Sequence, residues 1–128
     1  MGRLAALALS VTLGALPQVV SAATCNWPAW DSYKKAMMSS DGRIIDGSSA
    51  QMITTSEGQS YGLFFALLGN DKKSFARILE WTRNNLAGGS LEAHLQAWQW
   101  GLAKKGKWQI LDSNNASDAD LWIAYSLL

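Results

Sequence analysis

Cysteine is nearly absent from this sequence. Cys25 stands alone, so no disulfide framework can form within the chain. It is either a free thiol or half of a bridge whose partner is not in the sequence. Net charge is equally scant. Eleven Lys and Arg stand against ten Asp and Glu, and setting aside Arg3, in a segment expected to be removed, leaves ten of each. That balance offers no basic stripe for nucleic acid and no polybasic cluster for anionic lipid. Long apolar runs are missing too: Leu4 to Leu16 is too short to span a bilayer, so no stable membrane insertion is expected. The single histidine, His94, sits in an intermittent pattern and takes no role. Sparse charge does not mean disorder, because 48% of the 128 residues are hydrophobic, as in a packed globular protein. Seven tryptophans are present. Such rings stack on sugars, but they also fill cores, and the count alone decides nothing.

Residues 1–23 read as a secretory signal peptide. Arg3 supplies the positive start, Leu4 to Leu16 the apolar core, and Pro17 the break. Ser21, Ala22 and Ala23 form the cleavage zone, leaving residues 24–128 as the mature portion. A buried N-terminal helix is the alternative. Thr24 ahead of Cys25 argues against a lipid anchor. A periplasmic or secreted location is the expectation.

Four helices follow from the periodicity. Pro28 opens the first, where its missing N–H costs nothing. Trp30, Tyr33 and Met37 share one face, and Ser40-Asp41-Gly42 is expected to end it. Arg43 to Asp46 look extended. Ser56-Glu57-Gly58-Gln59 matches a capping box, with Ser56 as N-cap and Gln59 reaching back. The run Tyr61 to Leu68 is apolar on nearly every side, which predicts a helix buried all round. From Lys72 to Leu86 the pattern is amphipathic, with Phe75, Ile78, Leu79, Thr82 and Leu86 on one face. Residues 93–100 alternate weakly, Lys104-Lys105-Gly106 is a turn, and Trp108 to Leu111 suits a short return strand. Ser117 is expected to cap a last helix, Asp118 to Leu128, again apolar almost all round. Amphipathic and buried helices thus alternate, as two concentric helical layers would require; a plain helical bundle fits as well. Leu127-Leu128 closes an apolar helix with no glycine or polar cap, and the chain is read as a fragment.

Two segments carry the candidate chemistry. In Thr54-Thr55-Ser56-Glu57-Gly58-Gln59-Ser60-Tyr61-Gly62, Glu57 lies in the first turn of a helix, with Tyr61 four residues on and on the same face. An acid at a helix start also serves the dipole without any function. A start that points into the protein, however, requires Glu57 to be paired or to open onto a cavity. In Asn115-Ala116-Ser117-Asp118-Ala119-Asp120-Leu121-Trp122, two carboxylates again crowd a helix start. Residues two apart diverge on a helix, so at most one of Asp118 and Asp120 shares a site with Glu57. Calcium is the alternative use, but the glycine and downstream Glu of an EF-hand loop are missing.

Glu-Gly-Gln-Ser-Tyr-Gly and Ala-Ser-Asp-Ala-Asp-Leu-Trp-Ile-Ala, in this order and about sixty residues apart, together resemble family 8 glycoside hydrolases. Phe75 to Trp81 and Leu95 to Trp98 are similar to the family as well. Cys-Asn-Trp-Pro-Ala-Trp and Ile-Thr-Thr-Ser-Glu-Gly-Gln resemble its periplasmic endoglucanases that accompany bacterial cellulose synthases. The resemblance implies an all-α fold, the N-terminal part of an (α/α)6 toroid (six-hairpin barrel) with short extended segments. It implies an inverting hydrolase of β-1,4-linked glucan, with family 8 xylanase, chitosanase or a non-catalytic glycan-binding protein as alternatives. Glu57 then takes the role of general acid and Asp118 that of the carboxylate holding the sugar at the cleavage point. Trp98 becomes a substrate platform, with Tyr61 and Asp120 as further substrate-binding or supporting residues. The family's base, an Asp, falls beyond Leu128. No cofactor and no metal are implied; the partners are the glucan and, as a candidate, the cellulose synthase complex, with the enzyme itself a monomer.

Overall fold

A computed structural model describes residues 26–128. The signal peptide expected over residues 1–23 and the thiol of Cys25 lie outside the described residues. Among the described residues no helix is long and apolar enough to cross a membrane.

Helix α1 runs Pro28–Met37, with proline in its first turn and Trp30 buried. It ends three residues before the expected Ser40 stop, because Met38 is already extended and bridges Ile44. Strand β1, Thr54–Thr55, leads without a loop into α2, Ser56–Leu68. Helix α3 covers Lys72–Asn85 and is capped by Asp71, whose side chain accepts from the Ser74 N–H. Strands β2, Gln99–Leu102, and β3, Trp108–Asp112, form a hairpin around Lys105 and Gly106, both at positive φ. Helix α4, Ser117–Leu127, completes the order.

Helices dominate, and the short extended segments are joined: β1, β2 and β3 form a three-stranded antiparallel sheet in that order. Thr54 pairs with Trp100 and Thr55 with Gln99, so the strand hands Glu57 to its helix from a fixed register. A two-residue strand leaves no periodicity in a sequence, which is why β1 escapes notice.

The pairing of Thr55 also moves the cap. Thr55, not Ser56, is the N-cap of α2, its hydroxyl accepting from the Gly58 N–H at 3.0 Å. Gln59 does not reach back. It is fully buried; its Oε1 accepts from the Ile44 N–H at 2.6 Å, and its Nε2 donates to Thr82 Oγ1 at 2.9 Å. At α4 the cap is Ala116, with no side-chain bond, and Ser117 lies inside the helix.

Helix α2 is central. Leu63 and Ala66 meet Trp30, Ile44, Ile78 and Ile123 in the core, so α1, α3 and α4 all pack around it. Gly42, at φ +97°, permits a close crossing over α3: a Cβ there would fall 2.4 Å from the Arg77 carbonyl carbon. The expectation that α2 and α4 are buried all round is not met among the described residues. Tyr61 is 41% exposed, Tyr125 60% and Leu121 72%. Apolar composition reports what a face would gain from cover, not what covers it.

Asp71 ties α1 to α3. It accepts from the Trp30 indole at 3.1 Å, Lys34 Nζ at 2.8 Å and the Ser74 hydroxyl at 2.8 Å. Burial pushes its carboxyl up, but the bonds from Lys34, Ser74 and Trp30 outweigh that and hold it well below the usual carboxylate range.

Candidate active site

Aromatic contacts fix how α2 and α4 lie. Tyr61 meets Trp122 edge-on with centroids 6.5 Å apart, and Phe64 meets Trp122 at 4.7 Å and Tyr125 at 6.2 Å. Contacts advance along both helices in the same direction, so α2 and α4 run parallel and begin at the same end. Glu57 sits one turn before Tyr61 and Asp118 one turn before Trp122. The two motifs therefore converge.

Trp98 joins them through its backbone. The Ser56 N–H donates to Trp98 O at 3.0 Å, and the Trp98 N–H donates to Asn114 O at 2.7 Å. Position 98 is thus pinned between the residue before Glu57 and the segment leading into α4. Glu57 itself is half-buried, with Ser56 Oγ donating to its Oε2 at 3.3 Å. Asp118 is exposed and lines an open hollow of about 450 Å³ with Phe64, Leu121, Trp122 and Tyr125. Asp120 points elsewhere: its Oδ2 accepts from Asn115 Nδ2 at 2.7 Å, while its enclosed Oδ1 has no protein partner. Tyr61 stands half-open on the α4-facing side of α2.

Some of the site's supports are not apparent from the motifs. Asp112 and Asn114 brace Trp98; Asp112 Oδ1 accepts from the Asn114 N–H at 2.9 Å. Asp-Ser-Asn after a strand is an Asx-turn signature and would have flagged them. The Asp112 carboxyl is held below its ordinary value, first by the Trp98 side chain and then by the Asn114 N–H. Arg43, buried without a carboxylate, donates to Thr54 Oγ1 at 2.8 Å and to the Met52 carbonyl. Its guanidinium also lies 4.6 Å from the Trp100 ring and 4.7 Å from Trp108, and no local pattern announces that contact. Burial lowers its basicity, with the charge of Asp41 working against that.

Carboxylates at two converging helix starts thus lie near a tryptophan whose backbone is fixed by the same run of hydrogen bonds. The model of glycosyl hydrolases family 8 matches residues 5–128. The chain is 58% identical over 106 residues to an endoglucanase of Escherichia coli K12, covering 83% of this chain and 29% of that protein. It is 45% identical over 130 residues to an endoglucanase of Pseudomonas fluorescens, covering 100% of this chain and 32% of that protein. The crystal structure of an endo-1,4-D-glucanase from Vibrio fischeri superposes with a TM-score of 0.78 at 56% identity, over 80% of this chain and 30% of that one. The chain belongs to glycosyl hydrolase family 8. It spans about 30% of the length of these relatives.

Proposed function

We propose that residues 24–128 form the N-terminal portion of the catalytic domain of an endo-β-1,4-glucanase, exported behind residues 1–23 to the periplasm or beyond. The observation that carries this is the run of hydrogen bonds from Ser56 through Trp98 to Asn114, which gathers Glu57, Trp98 and the start of the Asp118 helix. The relatives' shared activity supports the substrate class. In this reading α2 and α4 belong to the inner layer of an (α/α)6 toroid, and α1 and α3 to the outer.

Glu57 is the general acid that protonates the leaving oxygen of the scissile bond. Asp118 holds the sugar at the cleavage point and favours its distortion, and Trp98 carries a glucosyl ring. Tyr61 and Asp120 shape the surroundings. Inversion requires a base-activated water opposite the acid, with the two carboxyls roughly 6.5–9.5 Å apart. That base is an Asp in the part of the protein beyond Leu128. The enzyme works as a monomer on β-1,4-glucan, in association with the cellulose synthase complex and without a cofactor.

The test is Glu57→Gln in the complete enzyme. The amide keeps the size of the carboxyl but has no proton to give, so turnover should fall roughly 10²–10⁴-fold or more. Binding of cello-oligosaccharides should stay nearly intact, and the alkaline limb of the pH–rate profile should vanish. Near-normal turnover with an unchanged alkaline limb would reduce Glu57 to a helix-start residue.

A further inference from the structure

We infer that Arg43 is a positioning residue for Glu57, holding the strand that delivers the acid at a fixed place on the sheet. This rests on the glucanase reading above. The candidate segments all leave from the ends of that sheet: Glu57 follows β1, Trp98 directly precedes β2, and β3 leads into α4. Arg43 touches every strand. Its Nε donates to Thr54 Oγ1 of β1 at 2.8 Å, and its Nη2 donates to the Met52 carbonyl just before β1. The guanidinium carbon lies 4.6 Å from the ring centroid of Trp100 in β2 and 4.7 Å from that of Trp108 in β3. These two indoles stack on each other with centroids 5.2 Å apart, and Trp81 of α3 closes edge-on against Trp100. One buried side chain therefore joins three strands.

Strand β1 has two residues and passes into α2 without a loop, so few ladder bonds hold it and any displacement reaches Glu57. The buried Thr54 hydroxyl accepts from Arg43 and donates its one proton to the Ile44 carbonyl at 2.6 Å, which fixes its direction. An apolar side chain at position 43 could fill this space without desolvating a charge, but apolar burial has no direction. A guanidinium is planar, with donors in a rigid fork and faces that stack on aromatic rings; an ammonium has neither. Arg43 thus sets the angle between β1 and the hairpin as well as their contact. Misplacement of a reacting group by about 1 Å can cost roughly 10²-fold in rate.

The experiment places Arg43→Lys in the complete enzyme and in its Glu57→Gln variant, with a cello-oligosaccharide as substrate. In the unsubstituted enzyme kcat should fall roughly 10–10²-fold while KM changes by less than about threefold. In the Glu57→Gln background the same substitution should change turnover by less than about threefold, because residues that act as a unit are not additive. A merely structural role would lower the folded fraction and cut both backgrounds by one factor. That result overturns the assignment, as does an unchanged kcat in Arg43→Lys. Near-normal turnover in Glu57→Gln alone would instead remove the reading on which the proposal rests. Trp108→Leu, at the half-exposed ring, loosens the same clamp and does not depend on tolerance of the lysine. It should lower kcat roughly three- to tenfold, since one of two ring contacts is lost, with no further loss in the Glu57→Gln background. An unchanged kcat in Trp108→Leu also overturns the proposal.

Discussion

Gln59 shows how a local motif and a tertiary need compete for one side chain. By spacing it is the fourth residue of a capping box, and it sits at the right distance to bond back to the helix start. In the fold its amide instead faces Ile44 N–H and Thr82 Oγ1, inside the core. The backbone at Ile44 is buried and needs an acceptor, whereas the start of α2 already has Thr55. Replacing Gln59 by the similarly sized Met should therefore orphan the Ile44 N–H. The expected cost is about 1–3 kcal/mol, read as a lower urea midpoint at unchanged slope. Were Gln59 only a cap, the loss would be smaller and Ile44 would not matter. At this scale the sequence marks Glu57, Trp98 and Asp118 as candidates, and the backbone bonds at Ser56, Trp98 and Asn114 bring their segments together. Asp112 carries a local Asx-turn signature, but Arg43 was not legible, because it acts across a distance in sequence that no short pattern spans.

All four helices can be read from spacing and capping chemistry, and the β2–β3 hairpin from its turn. The two-residue β1 cannot. The joint between α1 and α3 rests on Asp71, and it gives the elements a pH dependence. The folded-state acidity of this carboxyl is strengthened, with a pKa below the roughly 3.9 of an unfolded Asp. Its contribution is complete above that value and fades as pH falls through the depressed folded one. Asp71→Asn should cost about 1–3 kcal/mol at neutral pH, since Lys34 and the Trp30 indole lose a charged acceptor. The same variant should flatten the loss of stability on acidification below about pH 4, measured by chemical denaturation across that range. An Asp71→Asn variant with the parent's acid sensitivity would place the titrating joint elsewhere.

The molecule as a whole leaves much apolar surface on one side. Leu121, Tyr125, Leu127 and Leu128 of the α4 region and Leu67 and Leu68 of α2 are all exposed. The chain corresponds to about 30% of its relatives' length. The 128-residue polypeptide by itself is therefore expected to self-associate, because contiguous apolar area of this kind favours aggregation. It should also release no reducing sugar from carboxymethylcellulose. Size-exclusion chromatography with light scattering and a reducing-end assay check the two outcomes, and clear hydrolysis would overturn the placement of the base beyond Leu128.

The parallel run of α2 and α4 has a consequence for how this site can evolve. Two helices starting side by side bring like poles together, each start carrying roughly half a positive charge. Glu57 at one start and Asp118 and Asp120 at the other supply the negative charge that relieves this repulsion. Active-site carboxylates are often kept at a cost to stability, so that their removal makes an enzyme sturdier but inert. In the function proposed above, the same groups favour both the fold and the reaction. Selection for stability and selection for catalysis then pull in one direction at these positions, and drift toward an inactive but more stable family member gains nothing by discarding them.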